Sequence, residues 1–319
     1  MTLLRTLAAG AILLAVTNVP ALSQTCQLRQ AASIDIEFAP NGGVLVPVTI
    51  AGQPEKMLLQ LSDAHSALTQ DTVSQLKLAS SPVPRSLSIQ YMQQHVAFTA
   101  TAKDFSLGGI KGDVETYVVG SLHSYDPNVA GVLSLDVLEN FDVELDLNAR
   151  KLNLYAADHC PGKVVYWTHG PVAALPMAIE KLGNFTVPMT LDGQAIRASF
   201  TTSRLFSLMD IGDAQQKFGV TETSPGVGAP QKLENGLTVR PYKFQSLTGD
   251  GVTVSNPSVM LVLDDPSSAL CKPHQDHPDA PRSGSLFIAH CYGAESALDL
   301  GLDLQRRLHL FFDFSLDSP

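Results

Sequence analysis

The sequence predicts a mainly β protein made of two similar halves, and three observations carry this prediction. Twenty prolines and 23 glycines among 319 residues indicate many turns, which suits short strands better than long helices. Runs of alternating apolar residues recur along the chain. Two of these runs are each followed by a similar turn and a second run, so that the chain contains two hairpins of nearly the same sequence. The length is also sufficient for two domains that each bury a core.

The composition excludes one class of partner. Hydrophobic residues make up 45% of the chain and charged residues 16%, which is typical of a globular protein and not of a disordered one. The net charge of −10 and the pI near 5.3 argue against a nucleic-acid partner, because binding phosphates requires a basic surface. We also expect no cofactor.

Residues 1–23 have the pattern of a secretory signal peptide. Arg5 gives the basic start, residues 7–16 form the apolar stretch, and Ala21-Leu22-Ser23 is a small-residue cleavage site. The apolar stretch is short for a bilayer span and no later segment qualifies, so we expect no transmembrane segment after signal removal. The predicted location is therefore periplasmic or secreted. Lipid attachment at Cys26 is the alternative, but the two residues ahead of it fit that signal poorly.

Four cysteines remain after signal removal: Cys26, Cys160, Cys271 and Cys291. An even number of cysteines in an exported protein favours disulfides. The simplest pairing joins Cys26 to Cys160, across the first half, and Cys271 to Cys291, within the second. Metal binding is the rival interpretation, but the chain has no Cys-x-x-Cys pair to support it.

Each half opens with a strand, a tight turn and a second strand. In the first half the strand Val44–Ile50 is followed by Ala51-Gly52-Gln53-Pro54 and a second apolar run. In the second half Phe185–Leu191 precedes Asp192-Gly193-Gln194-Ala195 and another such run. A Gly-Gln pair in each turn and a Val-Pro-x-Thr core in each first strand mark the two units as counterparts.

Each half also closes in a related way. Residues 131–141 lead into a strand at 142–147, and residues 300–308 lead into one at 309–314. Repetition at about half the chain length indicates a duplication, with the halves facing each other across a pseudo-two-fold axis. We expect a monomer with a pseudo-dimeric fold. Its predicted parts are a signal peptide (1–23), an N-terminal lobe (24–160), a linker (161–174) and a C-terminal lobe (175–319).

Local patterns predict further elements. Asp136 and Glu139 have the spacing of a helix capping box, so we expect a short helix to begin at Asp136. Apolar residues then alternate with acids from 142 to 147, which predicts a strand with one apolar face. Two polar stretches, residues 80–101 and 224–244, are expected to form hairpins over a central cleft.

These units together resemble the retropepsin-like aspartic peptidases, in the exported bacterial form with two fused lobes. A lobe of that family reads strand, Asn/Asp-Gly-x-Pro, strand, Leu-Leu-Asp-Thr-Gly-Ala and Ser-x-Leu, and a later Ile/Val-Leu-Gly-x-Asp-x-Leu supports the loop. The resemblance covers about residues 34–155 and 175–314. It implies two pepsin-type β-barrel lobes related by a pseudo-two-fold, each contributing one catalytic loop to the cleft.

The family's catalytic aspartate is missing from both halves. A gap-free alignment with Leu-Leu-Asp-Thr-Gly places other residues at the aspartate, threonine and glycine. These residues are Gln60, Leu61 and Ser62 in the first half and Thr201, Thr202 and Ser203 in the second. The mechanism needs two carboxylates that share a proton, which an amide and a hydroxyl cannot do. We therefore expect a pseudoenzyme that keeps a cleft for a peptide or another extended ligand.

Two alternatives stay open. An active aspartic-type endopeptidase with non-standard residues would use a group such as Asp63, near His65, as a displaced acid/base group, or an aspartate from a partner chain. A periplasmic structural or interaction protein would instead have a closed cleft. Outside the loops, Asp136 and Asp303 are expected to cap the helices beneath them. The pair Tyr166-Trp167 is expected to pack between the lobes.

Overall fold

The computed structural model describes residues 28–40, 42–61, 65–84, 89–91, 94–120, 128–157, 164–179, 185–233, 236–264, 286–287 and 297–314. The predicted signal peptide and all four cysteines lie outside these residues, as do Ser62 and Asp63. The predicted disulfides therefore stay predictions.

The described elements are mostly short strands. Those of the first half are β1 (Gln30–Asp35), β2 (Glu37–Phe38), β3 (Val44–Ile50), β4 (Gln53–Leu59), β5 (Ala67–Thr69), α1 (Gln70–Gln75), β6 (Ala79–Pro82), β7 (Ile89–Tyr91), β8 (Gln94–His95), β9 (Phe98–Leu107), β10 (Ile110–Gly120), β11 (Gly131–Leu133), α2 (Leu135–Leu138), β12 (Phe141–Asp146) and β13 (Lys151–Ala156). Those of the second half are β14 (Ala178–Ile179), β15 (Phe185–Leu191), β16 (Gln194–Phe200), β17 (Leu208–Asp210), α3 (Ile211–Phe218), β18 (Gln231–Lys232), β19 (Thr238–Lys243), β20 (Ser246–Gly249), β21 (Val252–Ser255), β22 (Ser258–Asp264), β23 (Leu286–Phe287), β24 (Leu298–Leu300), α4 (Leu302–Gln305) and β25 (Leu310–Phe312).

The two halves have the same strand order. In the first half the order β3-β4-β11-β5-β10-β9 closes into a barrel because β9 also pairs with β3. The second half repeats this order as β15-β16-β24-β17-β22-β19. Here β20, which is separated from β19 by two residues, pairs with β15. The parallel and antiparallel pairings also correspond, with β4–β11 and β16–β24 both parallel. The predicted fold class, mainly β with two β-barrel lobes related by a pseudo-two-fold, is confirmed.

The opening hairpins form as predicted because their turns carry the right residues. Ala51 and Gly52 have φ of 51° and 75°, and Asp192 and Gly193 have φ of 46° and 80°. Two consecutive positive φ values define the type I′ turn, which matches the twist of the flanking strands. The strand after the turn begins already at Gln53 or Gln194, since Ile50 pairs with Gln53 and Leu191 with Gln194.

A separate four-stranded sheet joins the halves, in the order β1-β13-β12-β25. Strand β12 lies at its centre and pairs with β25 of the second half, with Val143 opposite Phe312 and Leu145 opposite Leu310. Val143 and Leu145 of β12 are fully buried in the core, as the alternation predicts. The exact lobe and linker boundaries stay predictions, because this sheet is shared.

The prediction of how the helix after β11 begins is wrong in one respect. The helix exists, but it runs from Leu135 to Leu138 with Ser134 at the N-cap, and no side chain caps it. Asp136 lies inside the helix, and its carboxylate accepts hydrogen bonds from the backbone and the hydroxyl of Ser66. Two such bonds outweigh the single bond that a capping aspartate would make.

Residues 80–101 contain the expected hairpin, formed by β7 and β8. Residues 224–244 contain an antiparallel pair, β18 and β19. None of the helices in the described part of the chain reaches the length and hydropathy needed to cross a bilayer.

Candidate functional site

Two loops meet where the halves face each other, one following β4 and one following β16. The Thr201 hydroxyl donates to Gln60 Oε1 at 3.4 Å and lies 3.2 Å from the Ser203 hydroxyl. Gln60 and Thr201 are 2% and 1% exposed, so the centre is a buried contact between an amide and hydroxyls. The structure thus brings together the two positions that the sequence alignment assigned to the catalytic aspartates.

Each loop leaves its barrel through the same backbone bond. The Gln60 amide donates to Leu133 O at 2.9 Å, and the Thr201 amide donates to Leu300 O at 3.0 Å. These are equivalent residues of β11 and β24. Each loop is therefore placed on its own barrel by a backbone bond that does not depend on the side chain at position 60 or 201.

One loop makes a side-chain hydrogen bond to the backbone of the other half, and this bond has no counterpart in the opposite direction. The Thr202 hydroxyl donates to Leu59 O across the centre at 2.6 Å, and Thr202 O accepts from the Val44 amide at 3.0 Å. Leu61, the equivalent of Thr202, is fully buried and has no hydroxyl with which to return the bond. The second half therefore holds the first through a side chain, and the reverse bond does not exist.

A serine and an aspartate support each loop from below. In the first half, Ser66 Oγ donates to Asp136 Oδ1 at 2.6 Å and accepts from the Ser134 amide at 2.9 Å. In the second half, Ser207 Oγ donates to Asp303 Oδ1 at 2.7 Å and accepts from the Gly301 amide at 2.9 Å. The two serine hydroxyls therefore make corresponding bonds in the two halves.

Asp136 and Asp303 are therefore loop anchors. The prediction that they cap the helices is wrong, because the N-caps are Ser134 and Gly301. Burial raises the pKa of the Asp303 carboxyl above its ordinary value of 3.8, and the hydrogen bonds from Ser207 oppose this shift.

Gln305 is a site residue that the sequence reasoning missed. Its Nε2 donates to Thr201 O at 2.8 Å and to Leu300 O at 2.7 Å, so it fixes the backbone at the centre. Gln305 is fully buried, and its Oε1 has no hydrogen-bond partner in the described part of the chain. Comparison of the two helices could have identified it, because Gln305 occupies the position where the first half has the apolar Leu138.

The described residues of the two loops are 60, 61, 65, 66 and 201–207, and none of them carries a carboxylate. Leu61, Thr202 and Ser203 are buried beside Gln60 and Thr201, whereas His65 is partly exposed. Within the described ranges no group of three or more His, Cys, Asp or Glu residues is arranged to hold a metal ion. Gln60, Thr201, Thr202 and Ser203 can donate and accept hydrogen bonds, but their amide and hydroxyl groups do not exchange protons near neutral pH.

A second polar cluster lies on the sheet that joins the halves, around the buried carboxylate of Glu144. Its Oε2 accepts from the hydroxyls of Tyr155 and Tyr166 at 2.6 and 2.7 Å and from Asn153 Nδ2 at 3.3 Å. Its Oε1 lies 2.7 Å from His309 Nε2. Burial, followed by the bond to Glu144, raises the pKa of the Tyr155 hydroxyl far above its ordinary range, so this hydroxyl stays a donor.

The linker is held against this cluster. The Trp167 ring stacks on the His309 ring, with centroids 4.1 Å apart and planes 9° from parallel. His309 precedes β25 of the second half, so the expected packing of Tyr166-Trp167 between the lobes is confirmed. The sequence reasoning missed Glu144 and His309, which are 165 residues apart in the chain.

Comparisons with known proteins give structural matches only. No family model matches the sequence, and no curated protein matches it. The chain is similar to a retropepsin-like aspartic protease from Rickettsia conorii, with 17% identity over 41% of this chain and 94% of that one and a TM-score of 0.30. It is also similar to basic 7S globulin from soybean, with 11% identity over 90% of this chain and 93% of that one and a TM-score of 0.47. At these values the likeness says nothing about activity, and the fold assignment rests on the strand order.

Proposed function

We propose that the protein is an exported, catalytically inactive relative of the aspartic peptidases whose central cleft binds a peptide or another extended ligand. The contact between Gln60 and Thr201 carries the proposal. It lies where the fold brings the two loops together, at the place where hydrolysis would require two carboxylates.

The chemistry of the centre argues against hydrolysis. One carboxylate would have to activate water while a protonated one polarises the peptide carbonyl. Gln60 and Thr201 can position a water molecule but cannot take its proton. Loss of one acid/base group typically lowers the rate by about 10²–10⁴-fold, and both groups are replaced here.

The scaffold around the centre favours binding. Both loops keep their serine–aspartate anchors, which supports a loop scaffold that is retained without the chemistry. The hairpin sheet has the order β23-β7-β8, and no further strand of the described residues pairs with β8. An extended ligand can add to such an edge through backbone hydrogen bonds.

One assay tests inactivity and binding together. The full chain is incubated with a mixed peptide library between pH 3 and pH 7, and both bound and cleaved peptides are identified by mass spectrometry. We expect peptides to be retained and none to be cleaved. Cleavage that disappears in Asp63→Asn would instead establish the active endopeptidase.

A second candidate is a structural or interaction protein of the periplasm with a closed cleft. It is favoured by the burial of the centre, where Gln60, Thr201 and Thr202 are at most 2% exposed. In that case the assay retains no peptide, and Gln60→Ala lowers the stability without changing any binding.

Export is the part of the proposal that rests on residues 1–23. Sequencing the N-terminus of the protein from a periplasmic or culture fraction tests it. We expect the mature chain to begin at Gln24, and a chain that keeps residues 1–23 in the cytoplasmic fraction would contradict export.

A further inference from the structure

Two arginines lie over the ring of Phe38. The guanidinium carbon of Arg306 is 4.2 Å from the ring centroid, and that of Arg150 is 5.6 Å from it. Phe38 and Arg150 belong to the first half, whereas Arg306 directly follows α4 of the second half, so the cluster joins the halves. None of the three residues belongs to the loops at the centre. The cluster is therefore separate from the candidate functional site.

The backbone around the cluster is held by a turn. Asn148 Nδ2 donates to Arg306 O at 3.1 Å, which ties the turn between β12 and β13 to the end of α4. The amides of Asn148 and Ala149 both donate to Asp146 Oδ1, so this carboxylate shapes the turn. Arg150 ends the turn with a φ of 55°, which glycine adopts more readily than arginine. An arginine thus stands at a position whose conformation favours glycine.

The positive charges of the two arginines have no counter-charge. No hydrogen bond or ion pair in the described part of the chain uses the guanidinium group of Arg150 or of Arg306. Their positions over one ring place the two guanidinium carbons at most about 10 Å apart, which is near the Debye length at 0.1 M salt. The two charges therefore act together on this surface, although the whole chain has a net charge of −10.

The acidic residues that neighbour the cluster in the sequence are engaged elsewhere. Asp35 Oδ1 lies 2.7 Å from Lys151 Nζ, and Glu37 Oε2 lies 2.8 Å from Lys56 Nζ. Asp146 accepts the two amides of the turn. Carboxylates that could neutralise the arginines are thus present in this part of the chain, but they bind other groups.

The second copy of the duplicated unit indicates that the fold does not require this arrangement. Arg306 follows α4 at the position where Glu139 follows α2. Phe38 of β2 corresponds by strand pairing to Ile179 of β14. In addition, Arg306 Nε is buried without a hydrogen-bond partner among the described residues, which costs desolvation energy. Stability alone therefore does not account for the paired arginines.

We propose that Arg150 and Arg306 form a surface site for a doubly charged oxyanion of the phosphate type. A guanidinium group presents parallel N–H donors that match two oxygens of such an anion. Two arginines balance both of its charges, whereas a single carboxylate would balance only one arginine. The ring of Phe38 fixes the two groups through its face and carries no polar atom that competes for the anion.

The site is open to solvent and needs no cavity. Arg150 is exposed and Arg306 is partly exposed. Of the Arg306 nitrogens only Nε is buried without a partner, so the terminal nitrogens are the ones that an anion can reach.

Isothermal titration calorimetry of the full chain with inorganic phosphate, in a chloride buffer without other oxyanions, tests the site. We expect one phosphate to bind per chain with a Kd of about 1 mM or lower, as for two charge-assisted contacts. Sulfate should bind similarly, and acetate at least about tenfold more weakly because it balances only one charge. Vesicles with phosphatidic acid, compared with phosphatidylcholine alone, distinguish a lipid phosphate from the free anion, since only the former retains the chain on the vesicles.

Single substitutions locate the binding. Arg150→Gln and Arg306→Gln each remove one charge of the pair, and we expect each to weaken phosphate binding at least about tenfold. Arg307→Gln is the matched control, because it makes the same charge change at the next residue, whose Nη2 donates to Ser255 O at 2.8 Å. Its affinity for phosphate should stay within about twofold of wild type.

Three results would overturn the site. The first is a folded wild-type chain that binds no phosphate, and the second is acetate that binds as tightly as phosphate. The third is an equal loss of affinity in Arg306→Gln and Arg307→Gln, which would indicate diffuse attraction to the surface. A purely structural role is separated by thermal unfolding: we expect phosphate to raise the Tm of wild type and of Arg307→Gln but not that of Arg306→Gln. A structural residue would lower the Tm equally with and without phosphate.

Discussion

Ser66 and Asp136 are joined by two hydrogen bonds, one from the Ser66 amide to Oδ2 at 2.8 Å and one from its hydroxyl to Oδ1 at 2.6 Å. The equivalent pair uses its carboxylate differently. Asp303 accepts from the Ser207 amide, the Ser207 hydroxyl and the Leu304 amide through Oδ1 alone. The two halves therefore share an anchor but depend on it through different atoms.

This difference predicts unequal effects of the same substitution. An asparagine keeps one accepting oxygen, so Asp136→Asn leaves one donor of Ser66 without an acceptor, while Asp303→Asn preserves all three contacts. We expect Asp136→Asn to lower the free energy of unfolding by about 1–3 kcal/mol and Asp303→Asn to lower it by less. Urea denaturation measures both. Equal losses would contradict the assigned geometry.

The raised pKa of Asp303 predicts the direction of a pH effect. An acid whose pKa is higher in the folded than in the unfolded state binds its proton more tightly when folded. Its contribution to stability is present below the unfolded value, near 3.8, and is lost as the pH rises through the folded value. The stability of Asp303→Asn relative to wild type should therefore increase as the pH rises from 3.8. A difference that stays constant with pH would contradict the shift.

The contact between Trp167 and His309 can be followed directly, because the chain has a single tryptophan. His309→Ala removes the stacked ring and a partner of the buried Glu144. We expect the Trp167 emission to shift to longer wavelength, because the indole ring becomes more exposed to water. We expect the free energy of unfolding to fall by only about 1–3 kcal/mol, because His309 is partly exposed. His169→Ala is the control, because it alters an exposed histidine of the same linker. An unchanged emission spectrum in His309→Ala would exclude the stacking.

The sequence predicts the parts of this fold that depend on local chemistry. Asp192-Gly193 specifies a type I′ turn within two residues, and the alternation around Val143 specifies a buried face. The position of Gln305 behind Thr201 joins residues 104 apart, and the bond between Ser199 and Asp299 joins residues 100 apart. These contacts form only when distant strands pair in the barrel, so no local sequence pattern predicts them. The alignment nevertheless paired positions 60 and 201, because each follows the same strand in a duplicated unit.

Replacing four residues of the two loops tests whether these loops mark a catalytic place. The variant Gln60→Asp/Ser62→Gly/Thr201→Asp/Ser203→Gly supplies both carboxylates and the two glycines of the family pattern. Two carboxylates this close cannot both ionise readily, so they share a proton at acidic pH. We expect peptide cleavage at acidic pH to rise at least about 10²-fold above wild type, because both acid/base roles are filled.

Each single aspartate is the control for this gain. Gln60→Asp or Thr201→Asp alone provides one carboxylate without the partner that shares its proton, so neither should cleave peptides. The contact of 3.4 Å between Gln60 and Thr201 shows that side chains at these two positions can reach each other. A folded four-residue variant without activity would mean that the loops meet in a geometry unsuited to activating water. That outcome would favour the closed-cleft protein, because the duplicated barrels would then serve only to hold the two halves together.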